Sequence, residues 1–152
     1  MNYLKSVIKE TMRLHPPIPL LVPIEYTKSS KIYGYDIPAK TRVMLNAWAI
    51  GRDPRSWEDS NKFQPERFMD GGNKSHVDFR GHDFELIPFG AGKRIFPEIH
   101  FATSTIQCTL ANLLHIFHWK MHDGMDIDMD EGHGVSLQKK THLILVPTPW
   151  FP

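Results

Sequence analysis

The chain has 152 residues, with 12 Pro, 10 Gly, 9 His and 1 Cys. Its 41% hydrophobic and 23% charged residues are ordinary for a folded domain, which excludes wholesale disorder. Eighteen basic against seventeen acidic side chains give a net charge of +1, which argues against nucleic acid, and one cysteine excludes a disulfide framework or a Cys-rich zinc site.

A helix is expected over residues 2 to 14, where Tyr3, Leu4, Val7, Ile8 and Leu14 share a face. His15-Pro16-Pro17 stops it. Strand-like runs follow at Leu20 to Tyr26, Lys31 to Ile37 and Thr41 to Leu45, punctuated by Ser29-Ser30, Gly34 and Pro38-Ala39-Lys40. Asp53-Pro54 reads as an N-cap and first helical position, starting a short helix through Trp57. Residues 60 to 90 read as irregular, a length of loop that is commonly functional. The longest helix is expected from Pro97 to His118, burying Ile99, Ala102, Ile106, Leu110, Leu113, Leu114 and Phe117. After Asp123-Gly124 and an acidic stretch to Glu131, Val135 to Lys140 and Leu143 to Val146 read as a terminal strand pair. The class is α+β, helix-rich. No apolar stretch is long enough to span a membrane, and Met1 to Lys5 does not read as a signal peptide.

Three segments carry chemistry. Glu10 and Arg13, three apart on one helix, are neighbours; alone they would be a surface pair worth a few tenths of a kcal/mol. Pro65-Glu66-Arg67-Phe68 supplies a second arginine, and if Arg67 reached Glu10 the result would be a buried carboxylate shared by two guanidiniums. Pro88-Phe89-Gly90-Ala91-Gly92-Lys93-Arg94-Ile95 is a Gly-rich loop running into the long helix. It lacks the glycine spacing and the Lys-Ser/Thr pair of a phosphate loop. His115, His118 and His122 could share a helix face and bind a metal, or form an end-of-helix cluster favoured by the dipole.

In this order, Lys9-Glu10-Thr11-Met12-Arg13-Leu14-His15-Pro16-Pro17, the Pro65 to Phe68 tetrapeptide and the Pro88 to Ile95 loop resemble the C-terminal part of a cytochrome P450, closest to the plant microsomal type. Tyr35 to Pro38, Asn46 to Pro54, Trp57-Glu58-Asp59 and Asp78 to Gly81 are similar to that subgroup too, so the resemblance covers essentially the whole chain. It implies the family's fold, with residues 1–152 expected to be the C-terminal part of a single domain whose N-terminal part is absent.

The resemblance implies haem-thiolate chemistry, with haem b as the cofactor. A loop cysteine ligates the iron and pushes electron density toward it, favouring O–O cleavage. The family oxidises small lipophilic substrates with O₂, taking electrons from NADPH–cytochrome P450 reductase at the endoplasmic reticulum membrane. Its loop pattern is Phe, two residues, Gly, one, Arg, one, Cys, one, Gly. Phe89, Gly92 and Arg94 match it, and Gly90 belongs to the same haem-facing loop. Phe96 stands at the cysteine position and Glu98 at the closing glycine. Phenylalanine has no lone pair and cannot ligate iron. Ile24 stands where the family commonly has a basic propionate partner, leaving Arg94 for that role. Ile18, Leu20, Leu21, Val22, Gly134 and Val135 would face substrate. Cys108, twelve residues beyond Phe96 on the same expected helix and so about 18 Å away, reads as an ordinary buried residue. Two readings follow: a haem monooxygenase in which Phe96 is tolerated, and a catalytically inactive chain that is at most a remnant or partner-binding fragment.

Overall fold

The computed structural model describes residues 1–122, 127–132 and 134–150. Helix α1 (Asn2–Leu14) forms where expected. Its buried side is Ser6, Ile8, Glu10, Met12, Arg13 and Leu14, so the buried stripe carries two charges, while Tyr3 is exposed. The helix ends at His15, whose N–H still reaches Thr11 O at 2.7 Å, and Pro16 prevents another turn.

The next segment holds less strand than its composition suggests. The expected run from Leu20 narrows to β1 (Ile24–Glu25), paired antiparallel with β4 (Arg42–Val43). Pro19 and Pro23 offer no amide hydrogen, and Leu21 takes a positive φ of 51°. The run from Lys31 to Ile37 is a hairpin, β2 (Ser30–Ile32) against β3 (Tyr35–Ile37). Tyr33 and Gly34 have φ of 49° and 87°, as a tight turn with positive φ at both central residues requires. A helical turn unseen in the sequence, α2 (Ala47–Ile50), is capped by Asn46, whose Oδ1 accepts from Ala49 N at 2.9 Å. The helix expected at 53–57 is a single turn instead. Ser56 N and Trp57 N both bond Asp53 O, and the chain then leaves so that the Trp57 ring enters the core.

Residues 60 to 90 are irregular apart from a 3₁₀ turn at Pro65–Phe68. The core nevertheless lies largely here. Trp57, Phe68, Val77, Phe79 and Leu86 pack with Ile8 and Met12 of α1 and with Ile99.

Helix α3 (Ile99–Ile116) is shorter than expected at both ends. Only Ile99 and Thr103 are buried on it, with Leu110 partly packed against the core. Ile106, Leu113 and Leu114, expected to be buried, are exposed, because the helix runs past the part of the core it touches. Cys108 is exposed too, contrary to its expected burial. Phe117 leaves the helix with φ −125° and ψ 142° and starts β5 (Phe117–Met121).

The expected terminal strand pair does not form. β6 (Glu131–Gly132) pairs with β7 (Gln138–Lys139), and β8 (Leu145–Pro149) pairs with β5 in register Phe117 to Pro149. β5 alternates half-buried and exposed residues, which suits a two-stranded ribbon, and it was hidden in sequence by the helix before it. The expected segment Asp123-Gly124, with Asp126, lies outside the described residues, as does His133. Among the described residues no helix is long and apolar enough to cross a membrane.

The ion pair joins α1 to the irregular segment. Glu10 has no solvent exposure. Arg13 grips it with two bonds, Nε to Oε2 at 2.7 Å and Nη2 to Oε1 at 2.8 Å. Arg67 Nε approaches Oε1 at 3.3 Å, and Gln64 N donates to the same oxygen at 2.8 Å. The remaining Arg13 donors go to the carbonyls of Gly51, Ser60 and Lys62, and Arg67 Nη1 to that of Glu58. Gly51 must be glycine, since a Cβ there would lie 2.2 Å from Arg13 O. Removing the charge should be severe because it leaves two buried guanidiniums uncompensated. Glu10→Gln is expected to cost about 3–5 kcal/mol in urea unfolding. A cost below about 1 kcal/mol would place the trio in the surface-pair class.

Candidate functional site

The Gly-rich loop takes its shape from residues at its two ends. Gly90 and Gly92 have φ of 79° and 68°, which L side chains avoid. Gly92–Arg94 forms a 3₁₀ turn, and Phe96 N closes the loop by donating to Phe89 O at 3.0 Å. That bond brings the side chains of Phe89 and Phe96 together. Their rings are nearly parallel, 20° apart, with centroids 6.3 Å apart. Phe79 meets Phe89 edge-on at 5.6 Å, so three rings stand in a row from the core outward. Gly81 supports the loop from behind, since a Cβ there would lie 2.6 Å from Ile95 Cδ1. Phe79 and Gly81 do structural work at the site that sequence reading did not single out, although both stand in the Asp78 to Gly81 motif.

A cavity of about 450 Å³ opens in front of this row. The segment after α1 forms one wall with Ile18, Leu21, Val22 and Ile24, and the loop forms the other with Phe89, Gly90, Arg94 and Phe96. Seven of the sequence-predicted residues thus line one cavity, with Ile18, Leu21 and Val22 on one wall and Phe89, Gly90, Arg94 and Phe96 on the other. The others do not line it. Leu20 is 44% exposed, Gly92 lies on the outer turn, and Glu98 is the exposed residue at the start of α3 with no side-chain cap bond. Gly134 and Val135 are exposed, Val135 at 87%. Their segment nevertheless reaches the cavity rim through Leu137 N, which donates to Pro17 O at 2.9 Å.

The chemistry of the lining is one-sided. Every lining side chain is aliphatic, aromatic or proline except that of Arg94. None carries a lone pair able to ligate a metal at neutral pH. Cys108 is exposed on α3, and no group of three His, Cys, Asp or Glu is placed to hold a metal among the described residues. The three histidines do not share a helix face: His115 lies in the last turn of α3, whereas His118 lies on β5, its ring tilted 34° to that of Trp150 with centroids 3.5 Å apart, and His122 follows that strand.

A second polar cluster was not visible in sequence. Glu131 of β6 accepts from Trp48 Nε1 at 3.0 Å and contacts His15 Nδ1 at 2.6 Å and Arg52 Nη2 at 3.4 Å. Arg52 also bonds Leu14 O, and its guanidinium lies 4.0 Å from the Trp48 ring centroid. Partial burial pulls the Arg52 pKa down, against the attraction of Glu131. One carboxylate therefore holds the β6–β7 pair to the end of α1 and to α2. Beside it, half-buried Asp53 is held down to about 2, first by hydrogen bonds from the Arg55 side chain and then by the Arg55 N–H. Because that pKa is lowered, the contact contributes above the ordinary carboxylate range and fades as pH falls toward about 2.

The family model described as Cytochrome P450 matches residues 1–146. The chain belongs to the cytochrome P450 family. It is 52% identical to Cytochrome P450 71D10 of Glycine max, over 99% of this chain and 29% of that protein. It is 50% identical to premnaspirodiene oxygenase of Hyoscyamus muticus, over 100% of this chain and 30% of that protein. Among solved structures, a zebra fish cytochrome P450 with progesterone aligns with a TM-score of 0.81 at 28% identity, covering 97% of this chain and 31% of the other. Retinoic acid-bound cyanobacterial CYP120A1 aligns with a TM-score of 0.82 at 26% identity, covering 98% and 33%. The chain thus spans about three tenths of the length of the curated P450 relatives it matches. The expected α+β portion of the P450 fold is the one observed.

P450 membership implies a haem iron cofactor. The apolar lining and Arg94 suit a porphyrin ring and a carboxylate, but the lining offers the iron no donor. The residues present therefore do not fit the iron.

The Glu131 cluster is testable without any ligand. Glu131→Gln should speed amide exchange at Leu137 and Lys140 by about tenfold, the equivalent of one charge-assisted hydrogen bond, and leave α1 unchanged. Unaltered exchange at both amides would show that the hairpin is held by its backbone alone.

Proposed function

We propose that the chain carries one wall of a P450 haem pocket and, as written, is catalytically inactive as a monooxygenase. The observation that supports this is the side chain at position 96. Phe96 stands in the loop where the family's thiolate would come, and it lines the cavity beside Phe89. A thiolate supplies the electron push that O–O cleavage needs; a hydrocarbon ring supplies none. Arg94, the one charged lining residue, is the partner for a propionate, and Ile18, Leu21 and Val22 form the apolar side of the pocket.

The intact lineage is read as an oxidase of small lipophilic molecules, using O₂ and electrons from NADPH through a reductase at the endoplasmic reticulum membrane. The scaffold supports that ancestry, because Glu10 is held by both Arg13 and Arg67 while the metal donor is missing. In this chain the same scaffold serves at most ligand or partner binding.

The reduced haem-loaded chain under CO decides between the readings. No red-shifted Soret band of the thiolate type should appear. Such a band in the unaltered chain would restore the monooxygenase reading and show that sulfur reaches the iron.

A further inference from the structure

We propose that the cavity recognises a planar tetrapyrrole carboxylate by its ring and its acidic edge alone, so that the metal-free ring binds as tightly as the iron form. The inference rests on the reading of the cavity as a porphyrin wall and carries it to the class of ligand held.

Three features support it. The first is the aromatic floor. Phe89 and Phe96 are within 20° of parallel, and Phe96 is 49% exposed, which leaves half its surface for a ligand. Phe79, itself in the core, holds Phe89 in place from behind. A ring fixed in this way is a stacking platform that loses little side-chain freedom on binding. The second is the opposite wall of Ile18, Leu21, Val22 and Ile24, which is wholly aliphatic. At Ile24 a hydrocarbon faces the cavity, so one cation is left for the acidic edge of the ligand. That cation is Arg94, which forms no ion pair with the acidic residues among the described residues and can take a carboxylate in a bidentate grip.

The third feature is the lack of any metal donor in the lining. In a pocket with a thiolate, the iron–sulfur bond would favour the metallated ring. Here that contribution is missing, and stacking, apolar burial and one charge pair remain, none of which senses the metal. The same change therefore removes both the chemistry and the preference for the iron form.

The test titrates the unaltered chain with iron(III) protoporphyrin and with metal-free protoporphyrin, following quenching of tryptophan fluorescence, and then lets each displace the other. The dissociation constants should agree within about threefold, and displacement should be complete in both directions. Arg94→Ala should weaken both several-fold and equally. Phe96→Cys should tip the ratio toward the iron form by about tenfold or more. The comparison on the unaltered chain stands even if that variant fails to fold. A preference of about tenfold for the iron form in the unaltered chain would overturn the inference while leaving the porphyrin wall intact, since some donor would then reach the metal. Binding of neither ring would overturn the inference and the reading of the cavity together.

Discussion

A carboxylate without solvent access must be compensated by the protein, and the compensation dictates where its neighbours go. Glu10 is that group. Its two oxygens are occupied by Arg13 from the same helix, Arg67 from the 3₁₀ turn and the Gln64 amide. Each guanidinium then needs acceptors of its own and finds them in carbonyls at 51, 58, 60 and 62. Trp57 lies within cation–π reach of both arginines and of Lys74. A stretch with almost no regular structure is thus fixed to α1 by one charge. The buried Arg67 Nη2 and Trp57 Nε1 are left without hydrogen-bond partners, and nothing in the structure explains them. Buried charge is weak evidence for stability; here its visible effect is to specify which loops meet the helix.

The cavity depends on that arrangement at one remove. The irregular segment delivers Phe79 and Gly81, and these support Phe89 and Ile95 of the loop. The scaffold and the donor are therefore separable. A loop shaped by Gly90 and Gly92 and closed by the Phe96 N–H presents Arg94 and a hydrocarbon ring at position 96 to the cavity. Nothing in the packing objects, because Phe96 sits half exposed on Phe89 and is not forced into the core.

The sequence reading succeeded where physics is local or where motifs are long. α1, the irregular stretch from 60 to 90 and the Glu10–Arg13–Arg67 trio all appear as expected. It failed where the answer depends on what covers a surface or which strand pairs with which. Apolar periodicity showed that α3 has an apolar face, but not that Ile106, Leu113 and Leu114 would be exposed in this chain. The pairing of β5 with β8 joins residues some thirty apart, and no turn signal between them records it. The Glu131 cluster gathers His15, Trp48 and Arg52 from distant positions, each of which is ordinary in isolation. Of the site, the residues of the cavity walls were named through the family resemblance, and no local pattern of the sequence marks them. Leu20, Glu98 and Val135, named on the same ground, do not line the cavity.

The central claim is that position 96 leaves the iron without a protein donor. X-ray absorption at the iron edge of the haem-loaded chain tests it most directly. The account predicts an iron with no sulfur neighbour, and a Phe96→Cys chain in which a sulfur neighbour appears. A sulfur neighbour in the unaltered chain would contradict the account, since the exposed Cys108 or a methionine thioether would then have to reach the metal.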